Sequence, residues 1–264
     1  MNQPRTKAGR QEKTDADIGS ANFKLLLQYD GTDYCGWQIQ RKEPTVQGAL
    51  EEALKRIIGS GIRVSGASRT DAGVHALGQV ANFKAQTRMK PEALQEALNC
   101  NLPHDIRVIS VEQVDFDFHS RFTPSRKEYL YRIFTGRVVP PFLRRYVLHV
   151  RRPLSLDAMK AAAALFSGSM DLKAFENTGG SAKSTVRFIF ESTLETCGEE
   201  IHYRIAANGF LKQMVRTVVG TLIEVGRGKM SAADVERVIA SKDRTQAGPS
   251  VKAKGLFLKK VTYL

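Results

Sequence analysis

The chain has 264 residues, of which 42% are hydrophobic and 25% are charged, values typical of a soluble globular protein with one large or two small domains. No stretch approaches the roughly 20 consecutive apolar residues that a membrane-spanning helix needs, and residues 1–22 lack the apolar core of a secretory signal. We therefore expect a cytoplasmic protein. The three cysteines and five histidines are scattered along the chain, so neither a disulfide framework nor a metal site is expected.

Charge is the most informative bulk property. The chain has 40 Lys and Arg residues against 27 Asp and Glu residues, which gives a formal net charge of +13. Such an excess favours a polyanionic partner, because neutralising phosphates and releasing their counterions supplies binding free energy. The charge thus predicts a nucleic-acid partner, although a basic protein without such a partner has the same composition.

Residues 1–22 are polar, mixed in charge and without periodicity, which predicts a flexible N-terminal tail. The first α/β half, residues 23–122, shows the order β-α-β-β-α-β. Thr45 and Pro91 stand at the starts of its two helices, where an N-cap and a first-turn proline are favoured. The predicted elements are strand 23–30, helix 45–58, strand 62–68, strand 78–84, helix 91–99 and strand 106–114.

The second α/β half, residues 123–264, repeats this order. Its predicted elements are strand 129–135, helix 156–168, a hairpin of strands 187–196 and 200–208, helix 210–226, a short helix 231–240 and strand 256–264. Two such units predict an α+β fold of two ferredoxin-like (βαββαβ) halves, each with an antiparallel sheet and helices on one face. If the sheets lie side by side, their uncovered faces can form one broad basic cleft for RNA.

The segment GASRTDAGVH at 66–75 lies between two predicted strands. Asp71 is therefore on a loop that rigid elements hold on both sides, a common place for a catalytic group. Gly73 can adopt the positive φ of a tight turn, and Arg69 points the same way as Asp71 in an extended segment. The pattern fits equally well an Asx-type turn with an Arg–Asp surface pair, so the loop by itself leaves both interpretations open.

Six blocks of the sequence resemble one known family, the tRNA pseudouridine synthase A (TruA) family. The segment RTDAGVH (69–75) resembles the family's signature, in which the aspartate is the catalytic residue. The other blocks follow in the family's order and leave only residues 1–22 outside: YDGTDYCGWQIQ (29–40) with TVQGALEEAL (45–54), FHSRF (118–122), KEYLYRI (127–133), NGFLKQMVRTVVGTLIEVGRGKM (208–230) and AGPSVKAKGLFL (247–258).

The resemblance implies the pseudouridine synthase fold, in which two α/β halves face a cleft. It also implies an isomerase that converts uridine to pseudouridine in the anticodon stem-loop of tRNA, at positions 38, 39 and 40, without a cofactor or metal and as a homodimer. The alternative from another class is a non-catalytic tRNA-binding module or RNA chaperone, which the basic charge would serve as well. The presence of Asp71, Tyr129 and Arg216 together counts against it, because a binding protein has no need of them.

The resemblance also gives roles to four residues. Asp71 is expected to act on the target nucleotide as a nucleophile or a base. Arg69 is expected to enter the RNA and fill the space that the flipped base leaves; its alternative role is a plain ion pair with Asp71. Tyr129 is expected to stack on the base. Arg216 is expected to pair with Asp71, which keeps the carboxylate ionised and oriented.

Further residues are expected to contact the tRNA. Lys183 and Arg187 belong to a Gly-Ser-rich loop whose sequence departs from the family's pattern, and Trp37 is expected to anchor its own loop in the core. The remaining expected contacts are in a basic segment that leads into the Tyr129 strand: Phe118, His119, Ser120, Arg121 and Phe122, followed by Arg126 and Lys127.

Overall fold

The computed structural model describes residues 19–59, 61–180 and 182–263. In these ranges the α-helices are α1 (Val46–Ile57), α2 (Pro91–Asn101), α3 (Leu156–Ala164), α4 (Met214–Gly226) and α5 (Ala232–Ser241). The strands are β1 (Ala21–Tyr29), β2 (Ser65–Gly66), β3 (His75–Ala85), β4 (Ile106–Val114), β5 (Pro124–Phe134), β6 (Leu148–His149), β7 (Gly168–Asp171), β8 (Val186–Cys197), β9 (Glu200–Ala207) and β10 (Leu256–Tyr263). The predicted α+β class is confirmed. None of the described helices is long and apolar enough to cross a membrane.

The start of β1 differs from the prediction. The tail is expected to comprise residues 1–22, and residues 1–18 of it lie outside the described residues. Ala21 and Asn22, at its predicted end, already belong to β1. Asn22 is buried, and its side-chain amide donates to the carbonyl oxygens of Asp115 and Phe118 at 3.0 and 2.9 Å. The strand extends beyond the apolar run that identified it because Ala21 and Asn22 pair with β3, and Asn22 also with β4.

Each half forms a ferredoxin-like unit, as predicted. The strands of the first half are arranged β4-β1-β3-β2, and those of the second half β10-β5-β9-β8. All neighbours within these two sets pair antiparallel. β7 adds an edge strand beside β8, and β6 pairs in parallel with β5.

The two halves join along one edge of β3, which makes a single 10-stranded sheet. β2 pairs with the later part of β3, while β10 pairs in parallel with its first two residues, His75 and Ala76. Because both strands use the same edge, β2 must leave it before β10 can reach it. The strand predicted at 62–68 is therefore reduced to Ser65–Gly66, and the following loop lies where the halves meet.

Helices cover one face of the sheet and bury an apolar layer in each half. In the first half, Leu50 of α1 and Leu98 of α2 belong to the same cluster as Leu25 of β1, and all three side chains have no exposed surface. Burying a leucine side chain completely contributes about 1.5–3 kcal/mol. Thr45 caps α1 by accepting the amide of Gly48, which confirms the predicted N-cap.

Helix α4 begins at Met214 instead of the predicted Phe210. Gln213 has a left-handed backbone with φ of 57°, which an α-helix cannot contain. Asn177 holds this turn, because its side-chain amide donates to the side-chain oxygen of Gln213 and its backbone amide to the carbonyl of Lys212. Residues 210–213 thus form a loop that leads into the helix, and of these only Leu211 is fully buried.

Helix α4 lies in direct backbone contact with the loop that precedes β10. A Cβ atom on Gly220 would lie 1.7 Å from the carbonyl oxygen of Pro249. From the loop side, the amide of Gly248 donates to the hydroxyl of Thr221 at 2.9 Å. A glycine is required at 220 because the approach leaves no room for a side chain, and the contact fixes the loop against the helix.

We expect Gly220→Ala to lower the free energy of unfolding by about 2 kcal/mol or more, because the added methyl group overlaps backbone that must then move. Urea unfolding followed by circular dichroism measures the change. Gly209→Ala is the matched control, since a Cβ there would make its nearest contact at 3.6 Å, with the side chain of Arg187. A Gly220→Ala protein as stable as the control would contradict the packing described here.

Candidate active site

The loop that carries Asp71 is fixed by backbone and side-chain hydrogen bonds to the segment after β1. The amide of Trp37 donates to the carbonyl of Thr70 at 3.0 Å, and the amide of Gly73 donates to the carbonyl of Tyr34 at 3.3 Å. The hydroxyl of Thr70 bonds to that of Tyr29 at 2.8 Å. Trp37 itself is buried, which confirms that it anchors its loop in the core. The loop is therefore positioned by the fold before any ligand binds.

Two glycines allow this arrangement. Gly73 has φ of 75°, as the tight turn requires. Gly36 has φ of 90°, and a Cβ there would lie 2.5 Å from the carbonyl oxygen of Thr70. The segment after β1 can thus pass directly against the backbone of the Asp71 loop.

Asp71 pairs with Arg216 of α4 across the junction of the two halves. Arg216 Nη1 lies 3.3 Å from Asp71 Oδ2, with 15% and 29% of the two side chains exposed. Arg216 is itself held, since its Nε donates to the carbonyl of Val251 at 2.7 Å. The predicted pairing of Asp71 with Arg216 is present, and it leaves part of the carboxylate accessible.

Tyr129 lies beside this pair on β5. Its hydroxyl bonds to the Ser68 hydroxyl at 2.8 Å, and its ring meets Phe210 edge to face with centroids 4.9 Å apart. Burial raises the pKa of Tyr129 to about 12; the negative charge of Asp71 adds to this effect, and the bond to Ser68 opposes it. Tyr129 is therefore protonated at neutral pH, with its ring at the border of the site.

Asp71 and Tyr129 line a cavity of about 450 Å³, which is within the size range of small-ligand sites. Its walls come from the Asp71 loop, from β5, from Glu176, Gly179, Gly180 and Ala182, and from the turn before α4. The side chains that matter below are Arg69, Asp71, Arg121, Lys127, Tyr129, Arg187 and Phe210. Among the described residues, no group of three or more His, Cys, Asp or Glu side chains could hold a metal ion.

The cavity opens on the face of the sheet that carries the helices. Tyr129 and Tyr131 alternate to the same face of β5, and Tyr131 is fully buried opposite Tyr203. The hydroxyl of Tyr203 bonds to Ser192, whose own hydroxyl donates to the carbonyl of Ala163 in α3. The expectation of a site on the uncovered faces is therefore wrong, because Tyr129 shares its face with core residues that pack against helices.

Arg69 is exposed at the rim of the site. No ion pair joins it to Asp71 in the described part of the chain, which argues against the plain Arg–Asp pair. It lines both the main cavity and a second one of about 220 Å³. Arg69 thus stands between two spaces, one of which contains Asp71.

The segment 118–122 divides into buried and exposed residues. Ser120 is completely buried, its hydroxyl donates to the carbonyl of Ser65 at 2.6 Å, and it has no surface for the predicted tRNA contact. Phe118 packs on Tyr263 with ring centroids 5.0 Å apart, so it too has a structural role. The other three residues line the second cavity: His119, Arg121 and Phe122.

Of the two basic residues expected from the Gly-Ser-rich loop, only one lines the cavity. Lys183 is exposed but does not line the cavity, whereas Arg187, at the start of β8, does. Arg126 points to the opposite face of the sheet and pairs with Glu191. Lys127, one residue later, points into the cavity. The sequence could have distinguished Lys127 from Arg126, because alternate residues of a strand point to the same face and only Lys127 is two residues from Tyr129.

His75, the last residue of the loop motif, is a structural residue. It is buried, its Nδ1 accepts the amide of Gly31 at 3.0 Å, and its Nε2 lies 3.1 and 3.2 Å from the carbonyl oxygens of Arg145 and Lys254. Burial lowers the pKa of His75 below its usual value, although Asp30 opposes the shift. His75 thus ties three loops together behind the site.

Comparison with known proteins assigns the family. A family model described as tRNA pseudouridine synthase matches residues 26–123 and 162–264. A tRNA pseudouridine synthase A of Thermoanaerobacter pseudethanolicus is 44% identical over 242 residues, which are 92% of this chain and 99% of that protein. Another, of Clostridium botulinum strain Eklund 17B, is 46% identical with the same coverage. The chain belongs to the tRNA pseudouridine synthase family.

Membership confirms the predicted class of enzyme, an isomerase, and the predicted pseudouridine synthase fold. Among solved structures, the archaeal box H/ACA sRNP Nop10-Cbf5 complex is similar at 12% identity with a TM-score of 0.33, over 87% of this chain and 61% of that chain. A similarity of this size carries no argument about the site, so the assignments below rest on the geometry of this synthase.

Lys127 gives a test of the electrostatics of this synthase. Burial, together with the charges of Arg121 and Arg187, lowers the pKa of Lys127 from 10.5 to about 8. The unfolded chain keeps the ordinary pKa and binds more protons between these values, so this group makes stability rise with pH from about 8 to about 10. Below pH 8 the charged, partly buried lysine destabilises the folded protein.

We therefore expect Lys127→Met to be more stable than the wild type by about 1–2 kcal/mol at pH 7, and the difference to disappear near pH 10.5. Urea unfolding at both pH values measures it. Lys260→Met is the control, because Lys260 is exposed on the next strand and should show no pH-dependent gain. A Lys127→Met protein less stable than the wild type at pH 7 would show that the charge of Lys127 does not destabilise the folded protein.

Proposed function

We propose that this synthase converts uridine to pseudouridine in the anticodon stem-loop of tRNA, at positions 38, 39 and 40, without a cofactor and as a homodimer in the cytoplasm. The observation that carries the proposal is the partly accessible carboxylate of Asp71, which an arginine orients in a cavity bordered by the aromatic ring of Tyr129 and lined in part by cations. The cavity is suited to one nucleotide of a polyanion.

The reaction is an internal rearrangement. The bond between N1 and C1′ of uridine breaks, the base turns, C5 bonds to C1′, C5 loses its proton and N1 gains one. Atoms and electrons balance within the nucleotide, so no redox partner is needed. Asp71 is the group in the cavity with the chemistry to assist, either by covalent attack on the sugar or base or by removing a sugar proton.

Arg216 keeps this carboxylate available. The pair is only partly exposed, and the guanidinium is fixed by Val251, so Asp71 has one orientation towards the cavity. A preorganised charge of this kind loses little free energy to reorientation during the reaction. Arg216 acts through Asp71 and is thus a positioning residue.

The target base must leave the RNA helix to reach Asp71. Arg69 is suited to assist, because it is exposed between the two cavities and has no carboxylate partner in the described residues. In the proposal its guanidinium occupies the space that the flipped base vacates and contacts nearby phosphate.

Tyr129 provides the surface for the flipped base. Its hydroxyl is held by Ser68 and its ring by Phe210, so the ring is rigid, and stacking on such a ring contributes about 1–3 kcal/mol per base. Three further side chains lie outside this cavity and are exposed or half-exposed: His119, Phe122 and Lys183. Together with Arg121 at the cavity wall, they are proposed to contact the RNA around the target nucleotide.

A non-catalytic tRNA-binding role fits the cavity less well. A carboxylate among cations repels phosphate and weakens the binding of RNA. A binding protein would gain affinity by losing Asp71, whereas an enzyme needs it for the reaction. The ion pair with Arg216 therefore favours catalysis over binding alone.

We expect Asp71→Asn to lower pseudouridine formation by about 10³-fold or more, because the amide is neither nucleophile nor base, while tRNA affinity stays the same or rises. Tritium release from C5-labelled tRNA measures turnover, and filter binding measures affinity. Asp117→Asn, an exposed carboxylate outside the cavity, should behave like the wild type. An Asp71→Asn enzyme that retains its turnover would end the proposal.

The substrate assignment has its own test. We expect pseudouridines at positions 38, 39 and 40 of unmodified tRNA after incubation with the wild type, and none after incubation with Asp71→Asn. Chemical mapping of pseudouridine by reverse transcription locates each site. Modification only in another arm of the tRNA would refute the anticodon stem-loop while leaving the reaction itself intact.

A further inference from the structure

Lys127 is a partly buried cation on the wall of the cavity. Its Nζ donates to the carbonyl oxygen of Ala67 at 2.6 Å, and no carboxylate of the described residues forms an ion pair with it. Withdrawing a charged lysine from water costs free energy unless the charge is paired. Nothing in the described part of the free protein offsets this cost, which points to a ligand.

Two arginines share the cavity with Lys127. Arg121 and Arg187 both line it, and the charges of both lower the pKa of Lys127. Neither arginine forms an ion pair within the described part of the chain. The negative charge of Glu176 acts on Arg187. Glu176 is buried, however, and already forms an ion pair with Lys173 at 2.7 Å. Three cations thus face one another without enough negative charge between them.

Arg187 has an unused donor. Its Nη1 donates to the carbonyl oxygens of Ser184 and Val186, which fixes the side chain, but its buried Nε has no hydrogen-bond partner. A buried polar atom without a partner is rare and costs free energy. This second observation indicates that the cluster is completed by an acceptor from outside the chain.

We propose that Arg121, Lys127 and Arg187 form a subsite for one phosphate group of the RNA backbone next to the target uridine. A phosphodiester carries one negative charge and two free oxygens, and it can accept hydrogen bonds from several donors at once. The subsite belongs to the same cavity as Asp71, so one nucleotide can place its base at the carboxylate and its phosphate at the cluster.

The subsite rests on the proposed function and extends it. Holding the phosphate fixes the sugar of the flipped nucleotide, and C1′ is the atom at which one bond breaks and another forms. Lys127 is thus a substrate-binding residue whose strain in the free enzyme is relieved by the substrate. This relief favours RNA with its backbone drawn into the cavity over RNA bound only at the surface.

The test uses tRNA assembled by ligation with a single methylphosphonate, which replaces one charged oxygen by a methyl group, at either phosphate that flanks the target uridine. Both substrates and unmodified tRNA are given to the wild type, Lys127→Met and Lys260→Met, and kcat/KM is measured for each. Lys260 is the matched control because, on β10, it pairs with Glu128 and so points to the opposite face from Lys127.

We expect one of the two neutral linkages to lower kcat/KM of the wild type and of Lys260→Met about tenfold or more, the usual loss for a charged hydrogen bond. Lys127→Met should already be about tenfold slower on unmodified tRNA, and the neutral linkage should cost it about twofold or less, because the interaction is gone. Lys127→Arg should restore most of the sensitivity to the neutral linkage.

Equal losses in the wild type and Lys127→Met at both linkages would overturn the subsite, and so would a wild type that is indifferent to both. Arg187→Met, measured in the same way, keeps the test valid if Lys127→Met does not fold. Failure of the proposed function is separate, since it would appear as absence of pseudouridine in unmodified tRNA treated with the wild type.

Discussion

The site depends on one constraint, the shared edge of β3. Two strands from different halves pair with this edge, and the backbone groups of β3 can serve only one partner at each residue. β2 therefore ends at Gly66 and β10 pairs from His75 onward. The chain between Gly66 and His75 must cross the junction as a loop, and this loop contains Asp71. The same geometry that joins the two sheets thus places a carboxylate between the halves.

The charged side chains in and around the cavity form two groups, one whose charges are paired within the protein and one whose charges are not. Asp71 and Arg216 are paired, and Arg216 is anchored by Val251, so this part is complete in the free enzyme. Lys127 and Arg187 form no ion pair with any residue that the structure describes. Natural proteins tolerate such strain where function needs it. The paired carboxylate of Asp71 is the group proposed to perform the reaction. The unpaired cations Lys127 and Arg187 are the groups proposed to bind a phosphate of the substrate.

Much of the fold could be predicted because its signals are local. Thr45 at an N-cap, Pro91 in a first turn and the hairpin of β8 and β9 all depend on neighbours in sequence, and the structure contains each. The start of α4 could not be predicted, because Leu211 is buried like a helical residue although it precedes the helix. The left-handed turn at Gln213 arises from hydrogen bonds to a residue distant in sequence.

The site shows the same division. The sequence by itself determined the family, through motifs such as RTDAGVH. It also singled out Asp71, Arg69, Tyr129 and Arg216 as candidate site residues, since residue types at fixed spacing are a property of the chain. Only the tertiary structure decided which face of the sheet bears the cavity, that Ser120 is buried, and that Lys127 meets Arg187 there. The physical reason is that burial and unpaired charge depend on contacts between elements far apart in sequence, which no local pattern contains.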